Sequence, residues 1–356
     1  MELLRIKKLQ DAMKGKANYA IVSVGPNFYY LTGYLPLESP DRAFFLVVPD
    51  EGEPFVLAPE LYSFELEKLE LEKVFYKDGE DPYQKLSSLI KGGVILLDDG
   101  MSFRQVLRVQ TSVEAKAYGL LSTVINELRV EKDDSELELI TKAAKIADRS
   151  FEKVASEVYP GLREDELAEI INEYLAYYGA EGLAFKTIVA SGPNSAEPHH
   201  TVSDRKIKKG DVVILDFGAR YKGYVSDITR TLLVGNADLK FIEIYETVKK
   251  AQAAAAKTVK PGVSASEVDS AAREVISSKG YGENFIHRTG HGIGLEVHEE
   301  PFLDPSNKLK LKDGMTFTIE PGIYIKGKYG VRIEDDYVLK EKAVRLTSST
   351  RNLLTI

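Results

Sequence analysis

The chain contains no cysteine in its 356 residues. This absence excludes disulfide bonds, thiolate nucleophiles and the thiolate ligands of structural zinc sites, so any metal has to be held by nitrogen and oxygen donors. Long apolar runs are missing too. No stretch approaches the roughly 20 apolar residues of a transmembrane helix, and the first residues lack the apolar core of a signal peptide. We therefore expect a cytoplasmic protein with no membrane partner.

The chain also has fewer basic than acidic residues. Lys and Arg number 47 against 55 Asp and Glu, which gives a net charge of −8. Nucleic-acid binding needs a basic surface, so we expect no nucleic-acid partner. The hydrophobic content of 44% and charged content of 29% are typical of a globular protein. The length predicts two domains, each large enough to bury its own core.

Helix and strand patterns divide the chain near residue 128. The first part alternates short β-branched or aromatic runs with helical periodicity, which predicts an α/β domain over residues 1–128. Residues 129–356 are predicted to form the second domain, which opens with a long amphipathic helix. Ser135 and Glu138 have the spacing of a capping box for this helix, and we expect it to reach about Val158.

The second domain contains an internal repeat. Its two halves share, in the same order, a helix followed by a Pro-Gly pair, a glycine before an acid that ends an apolar run, and a further acid. These markers are Pro160-Gly161, Gly210, Asp216 and Asp227 in the first half, and Pro261-Gly262, Gly314, Glu320 and Glu334 in the second. The ordered matches predict two related halves that meet with their acids at the seam.

All 5 histidines fall in two short stretches near these acids, namely His199, His200, His287, His291 and His298. Two Asp, two Glu and a histidine, each on or beside an apolar run, are interpreted as one buried metal centre. Buried carboxylates in such number would protonate or repel one another, and two divalent cations are the natural compensation. Oxygen and nitrogen donors suit Mn, Co, Fe or Zn. Two such ions about 3.5–4 Å apart activate water and polarise a carbonyl, which is hydrolase chemistry.

Each residue also has an ordinary structural explanation. Asp216 alone could be a turn cap, and Arg332 beside Glu334 could be a plain ion pair. The glycines near His291 could form no more than a tight turn. Of the histidines, we expect His200 to be a bystander, because it follows His199 in an extended segment and should point the opposite way. The metal-centre interpretation depends on the conjunction of these features.

Taken in order, the motifs resemble those of the pita-bread metallopeptidases (peptidase M24). They lie at 191–200, 215–218, 226–230, 287–299, 320–322 and 332–335. Residues 25–33 are similar to the N-terminal domain found in these enzymes and in creatinase. Within the family, the chain most resembles the proline dipeptidases (prolidases), with aminopeptidase P close behind.

The resemblance implies a fold and a ligand set. An N-terminal creatinase/prolidase-type α/β domain would precede a C-terminal α+β pita-bread domain with a pseudo-two-fold repeat. Asp216 would bind one metal ion, and Asp227 and Glu334 would bridge both ions. His291 and Glu320 would complete the second site. Creatinase shares the fold but lacks these ligands, so the resemblance disfavours a metal-free enzyme.

Roles for the other site residues are implied in the same way. Glu320 would also move a proton to the leaving nitrogen. His199 and His298 would contact the substrate, with His298 supporting the scissile carbonyl. His287 and Arg332 would orient the ligands or the substrate.

The activity implied is two-metal hydrolysis of the bond between an N-terminal residue and proline. Xaa-Pro dipeptides would be the substrates of a homodimer, in which a loop near residues 35–41 of the partner subunit walls the cleft. Aminopeptidase P activity on longer peptides is the first alternative. A methionine aminopeptidase usually lacks the N-terminal domain, and a non-catalytic binding module should have lost its ligands. Neither the native metal nor the preferred peptide length follows from the sequence.

Overall fold

The chain folds into two compact units, Met1–Arg129 and Val130–Ile356. The computed structural model describes residues 2–36, 42–236 and 238–356. The loop expected to wall the cleft, at 35–41, therefore lies mostly outside the described residues. In the part of the chain that is described, no helix is both long and apolar enough to span a membrane.

The N-terminal unit is built on a six-stranded mixed sheet. Its helices are α1 (Glu2–Met13), α2 (Pro26–Thr32), α3 (Ser63–Leu66), α4 (Pro82–Leu89), α5 (Phe103–Ser112) and α6 (Ser122–Arg129). Its strands are β1 (Tyr19–Ser23), β2 (Phe45–Pro49), β3 (Phe55–Pro59), β4 (Glu72–Tyr76), β5 (Val94–Leu97) and β6 (Ala117–Leu120). The strand order is β4-β3-β2-β1-β5-β6, with β2 antiparallel to both neighbours and the other pairs parallel. The central strands are continuously apolar because both faces of the sheet are covered.

The first half of the C-terminal unit places two helices before an antiparallel sheet. Its elements are α7 (Asp134–Val154), α8 (Glu164–Tyr177), β7 (Gly182–Leu183), β8 (Ile188–Ser191), β9 (Val212–Phe217), β10 (Ala219–Tyr221), β11 (Tyr224–Val225) and β12 (Ile228–Leu233). Strands β8, β9 and β12 are neighbours in one sheet, with β9 in the middle. Strands β7, β10 and β11 form a separate small sheet.

The second half repeats this arrangement. Its elements are α9 (Leu239–Thr258), α10 (Ala265–Ser278), β13 (Gly290–Gly292), β14 (Glu299–Leu303), β15 (Thr316–Ile319), β16 (Gly322–Ile325), β17 (Tyr329–Arg332), β18 (Asp335–Leu339) and β19 (Ala343–Arg345), before a final strand β20 (Leu354–Thr355). Here β15 lies between β13 and β18, as β9 lies between β8 and β12. Strand β20 pairs with β12 of the first half.

Backbone hydrogen bonds reproduce the repeat in detail. The N–H of Gly161 donates to Ile207 O at 2.8 Å, and the N–H of Gly262 donates to Leu311 O at 2.8 Å. Both glycines have positive φ, 105° and 86°, a conformation that suits glycine because it has no Cβ. Each Pro-Gly pair thus makes the same turn and the same bond to the segment before the central strand. The predicted internal repeat agrees with this architecture.

The start of α7 differs from the prediction. Its capping box is made by Asp133 and Glu136, not by Ser135 and Glu138: Asp133 Oδ1 accepts from Glu136 N at 3.0 Å, and Glu136 Oε2 accepts from Asp133 N at 3.0 Å. Asp is as good an N-cap as Ser, and the same three-residue spacing occurs two positions earlier. The helix ends at Val154, short of the expected Val158.

Candidate metal centre and active site

The five predicted ligands lie on or beside the ends of short strands. Asp216 is the second-last residue of β9, Asp227 directly precedes β12, His291 is the middle of β13, Glu320 follows β15, and Glu334 directly precedes β18. All five line one cleft of about 650 Å³. The cleft is also lined by the other predicted site residues, namely His199, His287, His298 and Arg332.

Two glycines allow the strand that carries His291 to pack tightly beside its neighbours. A Cβ on Gly290 would lie 2.0 Å from Thr318 O, and a Cβ on Gly292 would lie 2.1 Å from Glu300 O. Strand β13 is therefore packed between β14 and β15 so closely that only glycine fits on either side of His291. The Gly-His-Gly sequence serves this close approach, and is more than the tight turn that the sequence alone would allow.

The imidazole of His291 faces the acids. Its Nδ1 donates to Gly292 O at 3.2 Å, which leaves Nε2 directed toward Glu320 Oε1 at 3.2 Å and Asp227 Oδ2 at 3.8 Å. Ligand atoms of Asp227, His291 and Glu334 all lie within 4.8 Å of one another. A carbonyl on one ring nitrogen and acids around the other is the usual setting of a metal-binding histidine.

Three of the four predicted carboxylate ligands each have a buried oxygen without a hydrogen-bond partner among the described residues. These atoms are Asp216 Oδ1, Asp227 Oδ1 and Glu334 Oε1. Two of the groups are held through their other oxygen: Asp216 Oδ2 accepts from Arg332, and Glu334 Oε2 accepts from Thr229 Oγ1 at 2.5 Å. Buried acceptors are rarely left unsatisfied, so unpaired oxygens of residues that line one cleft fit bound cations. The residues present therefore suit divalent metal ions with hard oxygen donors.

Electrostatics supports the same conclusion. Burial, followed by repulsion from neighbouring acids, raises the pKa of Asp227 and of Glu334 well above the ordinary carboxyl value. Burial also raises the pKa of Asp216, although the Arg332 guanidinium works against this rise. Carboxyl groups crowded in this way ionise together only when positive charge offsets their repulsion.

Glu320 behaves differently from the other acids. Burial alone would raise its pKa, but the hydrogen bond and the charge of His291, together with the charges of His287 and Arg332, outweigh burial and lower the pKa of Glu320 to about 2. Its carboxylate is thus ionised at neutral pH.

Arg332 belongs to a buried chain of polar groups. Its guanidinium donates to Asp216 Oδ2 and, at 2.8 Å, to the hydroxyl of Tyr324. That hydroxyl lies 2.9 Å from His287 Nε2, and His287 Nδ1 donates to Arg288 O at 2.7 Å. Arg332 is more than a plain ion pair, since it links Asp216 to Tyr324 and through it to His287. Tyr324 was missed in the sequence, where its only signal is its position just after Glu320-Pro321-Gly322.

The remaining histidines differ in how they meet the cleft. The ring of His298 lies edge-on to that of His291 at a centroid distance of 4.2 Å. Burial, with the nearby His291 and Arg288, lowers the pKa of His298 to about 4, so it is neutral at neutral pH. His200 has both ring nitrogens engaged, with Glu164 Oε2 at 3.0 Å and Glu197 Oε2 at 3.1 Å. His199 and His200 both line the cleft, so the expectation that His200 points away from it is wrong, because His199 lies in a turn and not in an extended segment. With both nitrogens taken by glutamates, His200 has none to offer a substrate.

Arg230 is a supporting residue that sequence reasoning passed over. Its buried guanidinium donates to Glu334 O at 2.5 Å and to Asp335 Oδ1 at 2.6 Å. It therefore fixes the short link between β17 and β18 that carries Glu334. The available signal was an arginine within a strand that begins and ends with apolar residues, because a buried arginine is normally paired.

Comparisons with known proteins agree with this geometry. Residues 138–341 match the model of metallopeptidase family M24, and residues 5–130 match that of the creatinase/prolidase N-terminal domain. The Xaa-Pro dipeptidase of Pyrococcus furiosus is 40% identical over 353 residues, which are 98% of this chain and 99% of that protein. The expected family and fold class are thereby confirmed.

Solved structures give the same picture. The recombinant prolidase from Thermococcus sibiricus superposes with a TM-score of 0.94 at 46% identity, covering 100% of this chain and 99% of that one. The X-Pro aminopeptidase from Thermotoga maritima is more distant, with a TM-score of 0.85 at 33% identity over 96% of this chain and 98% of that one.

Proposed function

The chain belongs to metallopeptidase family M24, and from this premise we propose that it is an Xaa-Pro dipeptidase. One observation carries the proposal: the cleft brings together four carboxylates and an imidazole, with buried oxygens that have no other partner in the described chain. The names of the relatives support the substrate class, and the more similar ones are called dipeptidase or prolidase. The N-terminal match speaks against a methionine aminopeptidase.

Metal binding would use the five residues in unequal ways. We propose that Asp216 binds one ion, that Asp227 and Glu334 bridge two, and that His291 and Glu320 complete the second site. When bound, such ions polarise the scissile carbonyl and lower the pKa of water. The donor set accepts Mn, Co, Zn or Fe.

The chain's own residues would then perform the proton transfers. The ionised Glu320 takes a proton from the attacking water and delivers it to the proline nitrogen as the bond breaks. The neutral His298 donates a hydrogen bond to the carbonyl oxygen as negative charge develops there. His199 contacts the substrate, while Arg332 and His287, joined through Tyr324, keep Asp216 and the cleft floor in place.

Proline selectivity has a physical basis. The nitrogen of an Xaa-Pro bond carries no hydrogen, so a site that depends on an amide N–H donor handles this bond poorly. Polarisation of the carbonyl together with proton delivery to the nitrogen needs no such donor. The proposed centre therefore suits this bond, and the walls of the cleft would select the peptide length.

The test uses metal-stripped enzyme supplied with Mn, Co, Zn or Fe in turn. We expect cleavage of Ala-Pro and Gly-Pro, with Ala-Ala as the control that differs only in the second residue. Faster cleavage of Ala-Pro-Ala than of Ala-Pro would indicate aminopeptidase P activity instead. Equal rates on Ala-Pro and Ala-Ala would refute proline selectivity.

Assembly and location are part of the same proposal. We infer a homodimer in the cytoplasm, in line with the resemblance to prolidases and with a chain that lacks cysteine. Sedimentation of the active enzyme tests the dimer, and a fully active monomer would contradict it. Cell fractionation tests the location.

A further inference from the structure

A buried ion pair joins two distant segments beside the cleft. Lys132 Nζ lies 2.6 Å from Glu299 Oε1, and the two side chains are 1% and 10% exposed. Neither residue lines the cleft. Removing two charges from water is costly, and the attraction between them repays this cost only when the geometry is tight. The pair therefore holds its two segments in a definite relation.

On the lysine side, the anchor is the strand that leads to Glu320. The N–H of Lys132 donates to Gly314 O at 3.0 Å, and Glu131 forms a β-bridge with Met315, the residue directly before β15. Strand β15 ends one residue before Glu320. Lys132 is thus fixed to the scaffold that carries the proposed proton-transfer group.

On the glutamate side, the anchor is the loop that carries His298. Glu299 directly follows His298 and begins β14, and its Oε2 accepts from Glu296 N at 3.3 Å. The start of this loop is tied to β15 as well, since Thr316 Oγ1 donates to Ile293 O at 2.5 Å. The backbone of 293–299 is therefore secured at one end by β15 and at the other by the Glu299 carboxylate.

His298 and Glu299 are adjacent in the chain, but their side chains contact different parts of the fold. His298 lines the cleft, whereas Glu299 is directed to Lys132. We propose that Lys132 and Glu299 are positioning residues, which set how far His298 reaches toward the scissile carbonyl. The inference rests on the substrate-contacting role proposed for His298. A displacement of about 1 Å in such a group can lower a rate by about 10²-fold.

The first experiment is Lys132→Met in the full-length, metal-loaded enzyme. We expect kcat on Ala-Pro to fall about 10- to 100-fold, with KM changed by less than about 3-fold and both ions retained, because the altered contact forms with the developing oxyanion. The matched control is the neighbouring exposed pair of Lys312 and Glu131, 2.7 Å apart with side chains 63% and 44% exposed. Lys312→Met should leave kcat unchanged. Wild-type kcat in Lys132→Met would overturn the inference.

A double-mutant cycle separates positioning from general structural support. If the pair acts through His298, Lys132→Met should lower kcat by less than about 2-fold in a His298→Ala background, because coupled residues are not additive. Full multiplication of the two losses would refute positioning. Wild-type kcat in His298→Ala itself would refute the proposed role of His298, which distinguishes that failure from failure of the ion pair alone.

A milder variant keeps the test valid if Lys132→Met folds poorly. In Glu299→Gln the amide oxygen still accepts a hydrogen bond from Lys132, so the loop stays folded while the charge is lost. We expect kcat to fall about 3- to 10-fold with metal content retained, and the melting temperature to fall as well, because Lys132 keeps a buried charge without its counter-charge. Parallel loss of metal and rate would contradict the inference, because His298 is not proposed as a ligand.

Discussion

The two halves of the C-terminal unit share a backbone but not an electrostatic environment. Asp216 and Glu320 occupy equivalent places, each at or just after the end of the central strand of its half. In the first half, Asp216 is held by Arg332 and burial raises its pKa. In the second half, Glu320 meets His291, which together with His287 and Arg332 outweighs burial and lowers the pKa of Glu320 to about 2.

The difference shows where symmetry ends in this molecule. Turns and backbone hydrogen bonds are duplicated because they need only Pro, Gly and a strand at the right spacing. Side chains are not bound by that requirement. The second half supplies both partners: the imidazole of His291 lies next to its own acid, and the guanidinium of Arg332 reaches Asp216 of the first half. The acid of one half is thus paired with an imidazole, and the acid of the other with a guanidinium.

The largest expected effect comes from removing one bridging acid from each half. Asp227→Asn and Glu334→Gln should each release at least one ion and lower kcat/KM on Ala-Pro at least about 10³-fold, because both act as members of one catalytic unit. Elemental analysis and hydrolysis rates measure this. The exposed Asp313 offers a control, Asp313→Asn. Normal metal content and rate in either bridging variant would show that the halves do not share the ions.

Removal of the proposed oxyanion donor should come next. His298→Ala should lower kcat about 10²–10³-fold, the usual cost of losing one such donor, with both ions retained. His199→Ala, on the first-half side, should have a smaller effect because this residue is assigned substrate contact alone. Metal analysis alongside kinetics decides the matter: a parallel loss of metal would make His298 a ligand.

A smaller effect is expected when the guanidinium of the first-half site is altered. Arg332→Lys cannot bond Asp216, Tyr324 and Thr229 at once, since lysine lacks the planar set of donors. Metal affinity or rate should fall about 10- to 100-fold, as for other groups that orient a ligand. Calorimetric titration should show one of two sites weakened. Equal loss of affinity at both metal sites would show that Arg332 does not act on the Asp216 site alone.

The buried acids predict how stability depends on pH in the metal-free protein. Because their folded pKa values are raised, the stabilising contribution of Asp227 and Glu334 is complete below the ordinary carboxyl pKa and is lost as pH rises through the folded pKa. In chelator, Asp227→Asn should therefore exceed wild type in stability by about 1–3 kcal/mol at pH 8 and lose this advantage toward pH 4. Denaturant unfolding measures the difference. If the stability advantage of Asp227→Asn over wild type grew as pH fell, the pKa of Asp227 would be lowered in the folded state and not raised.

The smallest effect on activity is expected at the duplicated turns. A Cβ on Gly161 or Gly262 would meet no atom within 4 Å, so alanine there is opposed only by the positive φ. Gly161→Ala and Gly262→Ala should each cost about 1–3 kcal/mol of stability and leave kcat unchanged. Thermal unfolding of the two variants should give matching losses. Clearly unequal losses of stability would show that the two turns are not equivalent.

Much of the architecture could be predicted because its signals are local. Strand and helix periodicity, the paired Pro-Gly markers and the acids at strand ends all lie within short segments, and these were enough to predict two domains and an internal repeat. The family resemblance extended this prediction to residue roles, from Asp216 to Glu334. The misplaced capping box at Ser135 shows the limit of such signals. Asp133 offered the same spacing, and only the folded backbone selects between the two.

Tertiary structure decided what depends on contact between distant segments. Lys132 and Glu299 are 167 positions apart, and no periodicity or motif predicts that they meet. The same is true of the chain from Asp216 through Arg332 to Tyr324, and of the opposite pKa shifts of Asp216 and Glu320. The sequence by itself determined which donors are present and in what order, because those follow from residue type and spacing. Packing determined which donors are desolvated and which charge each one faces, because both depend on side chains that approach only after the chain has folded.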